Sequence, residues 1–318
     1  MRYTAKKIGT LLLTMVLVSL FVFFAFSLLS GDAAVRMLGT EATPERLAAL
    51  RAELGLDKPL PIRYVRWLSS LLRGDMGVSF QYRLPVSQLI AERLRPTLTL
   101  TLMAFLMIVA VSIPLGVVTA KYAGGILDRI VTVLGQFLMS VPPFFTGILL
   151  TYLFGLVLRA FVPGAFPDWS GGAGRYLGYL FFPAVSIALP RIAMTVRLLH
   201  GCILDEAQKD YVRTSMARGR SRGDILYRHV LKNTLVPLVT FLAMTMAELV
   251  AGSVIIEQVF SIPGLGRLLI SGIANRDAPV VQAVVTLAAF WVVVCNLAGD
   301  LLARRIDPRL RGGEGGKA

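Results

Sequence analysis

The sequence predicts an all-α integral membrane protein with six transmembrane helices, cytoplasmic N- and C-termini, and a small helical extracytoplasmic segment after the first span. Three observations predict it. The 318 residues are 55% hydrophobic and only 16% charged, with a mean hydropathy of +0.69, whereas a soluble domain carries about 25% charged residues. The apolar residues are bunched into six runs that approach or exceed the roughly 20 residues needed to cross the hydrocarbon. The 33 Lys and Arg against 19 Asp and Glu, a net charge of +14, lie in loops and at the ends of those runs. That placement is the footprint of membrane topology. Nucleic-acid binding would cluster the cations with aromatics on a soluble face, so no nucleic-acid partner is expected.

The runs are approximately Ile8 to Leu29, Thr97 to Ala120, Ile130 to Leu158, Tyr176 to Leu199, Leu235 to Ile256 and Val280 to Ala303. The first is too long for the 7–15-residue apolar region of a secretory signal and is followed by five more, so it reads as a retained helix. Arg2, Lys6 and Lys7 ahead of it place the N-terminus inside. Six crossings return the C-terminus to the same side, where Arg304, Arg305, Arg309, Arg311 and Lys317 outweigh Asp307 and Glu314. The organisation is then an N-terminal helix (1–30), an extracytoplasmic helical segment (31–96), a five-helix core (97–303) with a cytoplasmic loop (200–234), and a basic tail (304–318). The outer segment holds ten Lys or Arg, but loops beyond about 60 residues translocate largely regardless of charge.

Within the outer segment Thr43-Pro44-Glu45 reads as an N-cap, a proline at the first helical position and an acid in the first turn. Leu47, Leu50 and Leu54 repeat at helical spacing, and Gly55 ends the helix. After Pro61 a second amphipathic stretch puts Val65, Leu68, Leu71 and Leu72 on one side, with Gly74 at its end. Cys202 and Cys295 offer no disulfide framework or metal spacing; they read as small packed hydrophobes. His200 and His229 read as lone polar loop residues. No His, Cys or paired-carboxylate cluster suggests a reaction, so no catalytic residue, metal site or cofactor is expected.

The most informative stretch is the polar island from Asp205 to Pro237. Leu204, Ala207, Tyr211 and Ser215 fall on one side of a helix, and Gly219 stands where a left-handed C-terminal cap is wanted. Ser221 and Asp224 have capping-box spacing, with Asp in place of Glu or Gln. Ile225, Leu226, Val230 and Leu231 continue as a second helix. A helix, a short corner and another helix form an object that can be pushed without bending. A solvated loop whose cations only fix topology or touch anionic lipid would show the charge, but it would not need caps at a corner with apolar faces on both sides. Such a corner fits a groove on a cytoplasmic partner.

At these residues a family resemblance becomes specific. Asp210 to Gly219, followed by Arg228 to Pro237, resembles the cytoplasmic loop of ATP-binding-cassette importer permeases of the dipeptide, oligopeptide and nickel branch. The likeness extends over nearly the whole chain. It includes Gly31-Asp32, Leu50 to Pro61, Leu72 to Gly77, Glu257 to Gly266, Arg276 to Gln282 and Asp307 to Arg309. Met216 stands where that family commonly has a basic residue, and Arg218 replaces its usual Lys. Arg213-Thr214-Ser215 fill the places of the general importer Glu-Ala-Ala, as is typical of the peptide branch.

The resemblance implies a permease forming half of a translocation pore. Its partners would be a sister permease in a heterodimer, two ATP-binding subunits and an extracytoplasmic solute-binding protein. The chain has no Gly-x-x-x-x-Gly-Lys-Ser/Thr loop to cradle a nucleotide, so hydrolysis belongs to a partner. Glu206, Asp210, Arg213, Gly219, Ser221 and Arg222 would carry the coupling contact. Arg191 and Glu248 are ionisable residues inside spans, expected to pair between the fourth and fifth spans or to face the pore. Phe260, Pro263, Gly264 and Gly266 form a turn just past the fifth span, read as a re-entrant end of that helix lining the outer mouth. A peptide is the first expectation for the solute, with nickel or a metal chelate as the alternative. A self-contained carrier is the rival of another class, but no convincing internal repeat supports it.

Overall fold

The computed structural model describes residues 2–29, 33–38, 43–53 and 55–307. Gly31-Asp32, Leu54 and the basic tail beyond Asp307 lie outside them. The described residues are helical apart from turns and one antiparallel bridge between Val78 and Pro85. They divide into two compact units, residues 1–97 with 263–293 and residues 98–262 with 294–318.

The first unit opens with α1 (Arg2–Leu29), an apolar helix whose window Gly9–Ser27 has a mean hydropathy of 2.4. Three short helices follow: α2 (Ala33–Leu38), α3 (Pro44–Glu53) and α4 (Leu60–Leu72). The Thr43 hydroxyl accepts the Arg46 N–H at 3.4 Å, which caps α3 as the sequence predicts. The face of α4 differs from the expected one. Val65 and Leu72 are exposed, and the buried residue is Tyr64. Its ring packs edge-on against Phe23, and its hydroxyl lies 2.9 Å from Ser19 of α1. An amphipathic aromatic outcompetes the aliphatic stripe because it gives α1 both ring area and a hydrogen-bonding partner.

Helix α5 (Val86–Lys121) starts at Val86 rather than near Thr97, with Pro96 inside it. Its first turns pack with α12 (Leu265–Ala274) and the start of α13 (Ala278–Ile306) around Val86, Leu89, Leu268, Val280 and Val284. The Thr97 hydroxyl accepts the Leu265 N–H at 2.8 Å, which supplies an acceptor for a free donor at the start of α12. The loop before α5 is held by Asp277, which is fully buried. Its carboxylate accepts the Ser79 hydroxyl at 2.5 Å and the backbone N–H groups of Phe80 and Gln81 at 3.2 Å each.

The second unit contains the rest of α5, then α6 (Ile126–Ser140), α7 (Pro143–Leu150), α8 (Ala173–Ala207), α9 (Asp210–Ala217), α10 (Arg222–Ile225), α11 (Leu231–Val259) and the end of α13. Helices α5, α8, α11 with the helical residues leading into it from Arg222, and α13 are each long and apolar enough to cross a bilayer, as is α1. The third apolar run is not one straight rod. It is a pair, α6 and then α7 with a π-helical turn (Thr151–Val157), bent by 97°. Pro142-Pro143 is the cause: neither residue has an N–H to donate, and Val141 and Pro142 are extended. Pro183, Pro190 and Pro237 sit inside helices without breaking them.

The core of this unit lies where α8 meets α11, α6 and α7, with Leu180, Leu199, Ile203, Leu238, Leu249 and Ile256 all but excluded from solvent. Gly299 of α13 faces Ala243 of α11 so closely that any Cβ would collide, the small-residue contact by which apolar helices approach. His200 and His229 are in helical segments rather than loops. His200 stands 3.3 Å from Asp128 of α6, and His229 lies in the π-helical turn Leu226–Val230. Cys202 likewise lies within α8.

The Asp277 clamp makes a checkable claim. Asp277→Ala strips a buried hydroxyl and two backbone donors of their acceptor, which should destabilise the first unit by about 3 kcal/mol. Limited proteolysis of the purified protein should then cut within residues 77–85 much faster than in the parent, while Asp277→Asn should show a smaller effect.

Candidate functional site: a capped corner beyond the eighth helix

The polar island is built on the end of α8. The expected single helix through Leu204, Ala207, Tyr211 and Ser215 is broken at Gln208-Lys209, where Lys209 is extended (φ −69°, ψ 150°) before α9 starts. The break has a side-chain cause. Glu206 is 9% exposed, and its carboxylate accepts the Tyr211 hydroxyl at 3.0 Å and the Asn233 amide at 2.8 Å. Lys209 adds its ammonium at 2.5 Å. One carboxylate therefore joins the last turn of α8, the first turn of α9 and the first turn of α11. Burial and the bond to Glu206 push the Tyr211 phenol above its ordinary range, so it remains the donor at neutral pH.

Helix α9 ends on Gly219 at φ +80°. The Gly219 N–H donates to Met216 and the Arg220 N–H to Ser215, the double bond of a Schellman cap. Two residues on, the Ser221 hydroxyl accepts the Asp224 N–H at 3.2 Å and starts α10. The Asp224 carboxylate binds Arg228 at 2.8 Å, and Arg220 reaches the His229 ring at 3.0 Å. Those two contacts stiffen the corner from its far side.

Burial separates anchor from tip. Val212 and Ile225 are each 2% exposed and sink α9 and α10 into the core of the unit. Asp210, Arg213, Arg218, Gly219, Arg220, Ser221 and Arg222 are exposed. The tip is thus a fixed, strongly cationic shape, suited chemically to meeting carboxylates on a partner. The expected contact residues share this tip except Glu206, which is underneath it as a support. Tyr211 and Asn233 complete that support. Asn233 had no visible signal in the sequence, because its partner is 27 residues away.

Arg191 of α8 and Glu248 of α11 stand 2.5 Å apart, with side chains 28% and 50% exposed. A single charge costs about 2.5–3.5 kcal/mol at the centre of a spanning helix, so a pair at contact distance offsets much of that cost. Their half-exposure leaves one side of the pair open. Phe260, which caps α11, is 1% exposed, and its carbonyl accepts the Tyr179 hydroxyl at 2.6 Å. In the other unit Pro263 precedes Gly264, the extended N-cap of α12, and Gly266 is buried in its first turn. Among the described residues no group of three or more His, Cys, Asp or Glu is placed to hold a metal.

Comparison with known proteins places this architecture. Residues 112–312 match the family described as "Binding-protein-dependent transport system inner membrane component", and residues 1–101 match its N-terminal companion. A "Probable peptide ABC transporter permease protein" of Sinorhizobium fredii is 36% identical over 97% of this chain and 99% of its own. A "Glutathione transport system permease protein" of Pectobacterium atrosepticum is 35% identical over 98% and 99%. Among solved structures, a chain of the MetNI methionine ABC transporter in an inward-facing form superposes with a TM-score of 0.56. It is 21% identical, over 69% of this chain and 96% of that one, a likeness of fold. The chain belongs to the binding-protein-dependent transport system inner membrane components: it is a multi-pass inner-membrane permease of an ABC importer.

Proposed function

We propose that this permease forms half of a pore for di- or oligopeptides, with a sister permease as the other half. In this reading two ATP-binding subunits drive the pore through the corner from Glu206 to Arg222, and an extracytoplasmic solute-binding protein delivers the peptide. The observation that carries the coupling role is the corner itself. It combines a cationic exposed tip, capped helix ends on both sides of Gly219, and a buried carboxylate that ties it to α8 and α11 together. Closure of an ATPase dimer displaces a rigid tip, and the displacement passes to both long helices at once. That gives the driving subunits different contacts in the two pore states, the requirement for any such shift. The curated relatives named for peptide and for glutathione transport favour a peptide over nickel or a chelate as solute. The N-terminus, C-terminus and corner all face the cytoplasm in this reading, by the distribution of Lys and Arg.

Two experiments test it. At Gly219 nothing lies within 4 Å of an added Cβ, so only the left-handed backbone resists substitution. Gly219→Val should strain the cap by about 1–2 kcal/mol and lower peptide uptake at least tenfold, with normal permease levels in the membrane and ATP hydrolysis no longer linked to transport. Gly219→Asn, which tolerates that backbone, should keep most uptake. Unchanged uptake in the valine variant would remove the corner from the mechanism. For the intramembrane pair, Arg191→Glu and Glu248→Arg should each lower membrane accumulation severalfold, and the double swap should restore it. A double swap no better than either single would show that the two residues act separately.

A further inference from the structure

The outer part of the first unit holds a cleft of about 870 Å³, lined by the end of α1, by α3, α4 and the turns around them, and by the start of α13. Arg63, Arg66, Trp67 and Ser70 line it from α4 at helical spacing. Acids come from the flanking turns, Asp57 ahead of α4 and Asp75 behind it. Arg51 and Glu53 of α3 add one more charge of each sign. Phe23 and Phe26 of α1 give the cleft an aromatic side next to Trp67.

The charges of Arg63 and Arg66 balance those of Asp57 and Asp75 in number, yet the four do not pair with one another. Among the described residues neither Arg63 nor Arg66 has a carboxylate within ion-pairing distance, and Asp57 has no basic partner. Burial alone holds the Arg63 guanidinium below its ordinary range, with no acid contributing. Arg63 is partly buried and Arg66 exposed beside it; guanidinium groups bind planar carboxylates in bidentate fashion, while a bare carboxylate accepts an ammonium. An anion alone would meet the acids, and a cation alone would meet the arginines. The chemistry that satisfies both is a zwitterion whose two charges are separated by an apolar body.

We infer that this cleft is an acceptor site for short free peptides, holding the α-carboxylate on Arg63 and Arg66, the α-ammonium on Asp57 and Asp75, and a side chain against Trp67 and Phe23. The site rests on the peptide-import reading above and adds a place where the permease itself contacts the solute. At about 3.3–3.6 Å per residue, peptides of two to four residues span about 7–14 Å, a length that suits opposed charges across a cleft of this volume. The headgroup of a zwitterionic phospholipid shares the same charge chemistry, so the test must separate the two sources.

The probe is the tripeptide alanyl-(p-benzoylphenylalanyl)-alanine, photolysed with the assembled importer in phospholipid nanodiscs and mapped by mass spectrometry. Labelling is expected on residues 55–75 and should fall at least tenfold in Arg63→Gln/Arg66→Gln. It should fall comparably in wild type when the probe is C-terminally amidated or N-acetylated. Arg63→Lys/Arg66→Lys, which keeps the charge, should retain labelling within about threefold, which separates charge from misfolding. Equal labelling by the blocked probes, or labelling only elsewhere, overturns the site. So does a phosphatidylethanolamine molecule retained by wild type and lost in the Gln variant, if replacing that lipid with phosphatidylglycerol leaves peptide labelling absent. ATP-driven uptake of radiolabelled Ala-Phe-Ala into proteoliposomes is measured alongside. Uptake without cleft labelling defeats the site alone, whereas no ATP-driven uptake of the peptide defeats the import reading beneath it.

Discussion

Helices α8 and α11 are tied by polar side chains at two levels, and the second unit depends on that double tie. Arg191 meets Glu248 in the apolar stretch, and Glu206 meets Asn233 at the end. The same fifteen residues separate the two ties on each helix, so the pair runs antiparallel in register over about 22 Å. Between the ties the contact is aliphatic, with Leu199, Ile203, Leu238 and Leu242 in one buried cluster. Apolar packing alone would let such helices slide, since lipid tails solvate leucine as well as leucine does. Two polar ties fix the register that dispersion leaves loose, at positions where an unpaired charge would be expensive.

The corner inherits its rigidity from that register. Glu206 contributes to the lower tie and also causes the break that frees α9 from α8. That carboxylate terminates α8 and ties α9 to the start of α11, which supports short helices that are not long enough to be stable alone. Val212 and Ile225 add apolar anchorage, and the Arg220–His229 and Arg228–Asp224 contacts close the far side. The exposed arginines are therefore presented by a frame anchored in the unit's core by Glu206, Val212 and Ile225.

Much of this was legible in the sequence because it is local. Gly219, Ser221 and Thr43 announce caps within three or four residues of themselves, and the apolar runs announce spans by length alone. The interruption at Gln208-Lys209 was hidden, since no breaker residue stands there and its cause is a bond to Asn233. The 97° bend was half visible: Pro142-Pro143 is a plain breaker, but it sits within one apolar run whose length suggests a single crossing. On α4 the aliphatic spacing pointed to one face, while Tyr64 selected another by bonding Ser19 on a helix far away in sequence. The start of α5 at Val86 was masked by Pro96, which the helix absorbs. Long-range polar pairs account for the break at Gln208-Lys209 and the face of α4, and prolines account for the other two.

The Asp277 clamp closes a loop of 198 residues, and the first unit is assembled from the two ends of the chain. A ribosome delivering about 5–20 residues each second needs about 10–40 s to pass from Ser79 to Asp277. During that time the Ser79 hydroxyl and the Phe80 and Gln81 amides have no native acceptor, and α12 has not yet been made. The N-terminal segment must therefore wait, unfinished, for α12 and Asp277 to emerge. Quality control has a long window in which to act on this protein, and the clamp closes that window when Asp277 is delivered.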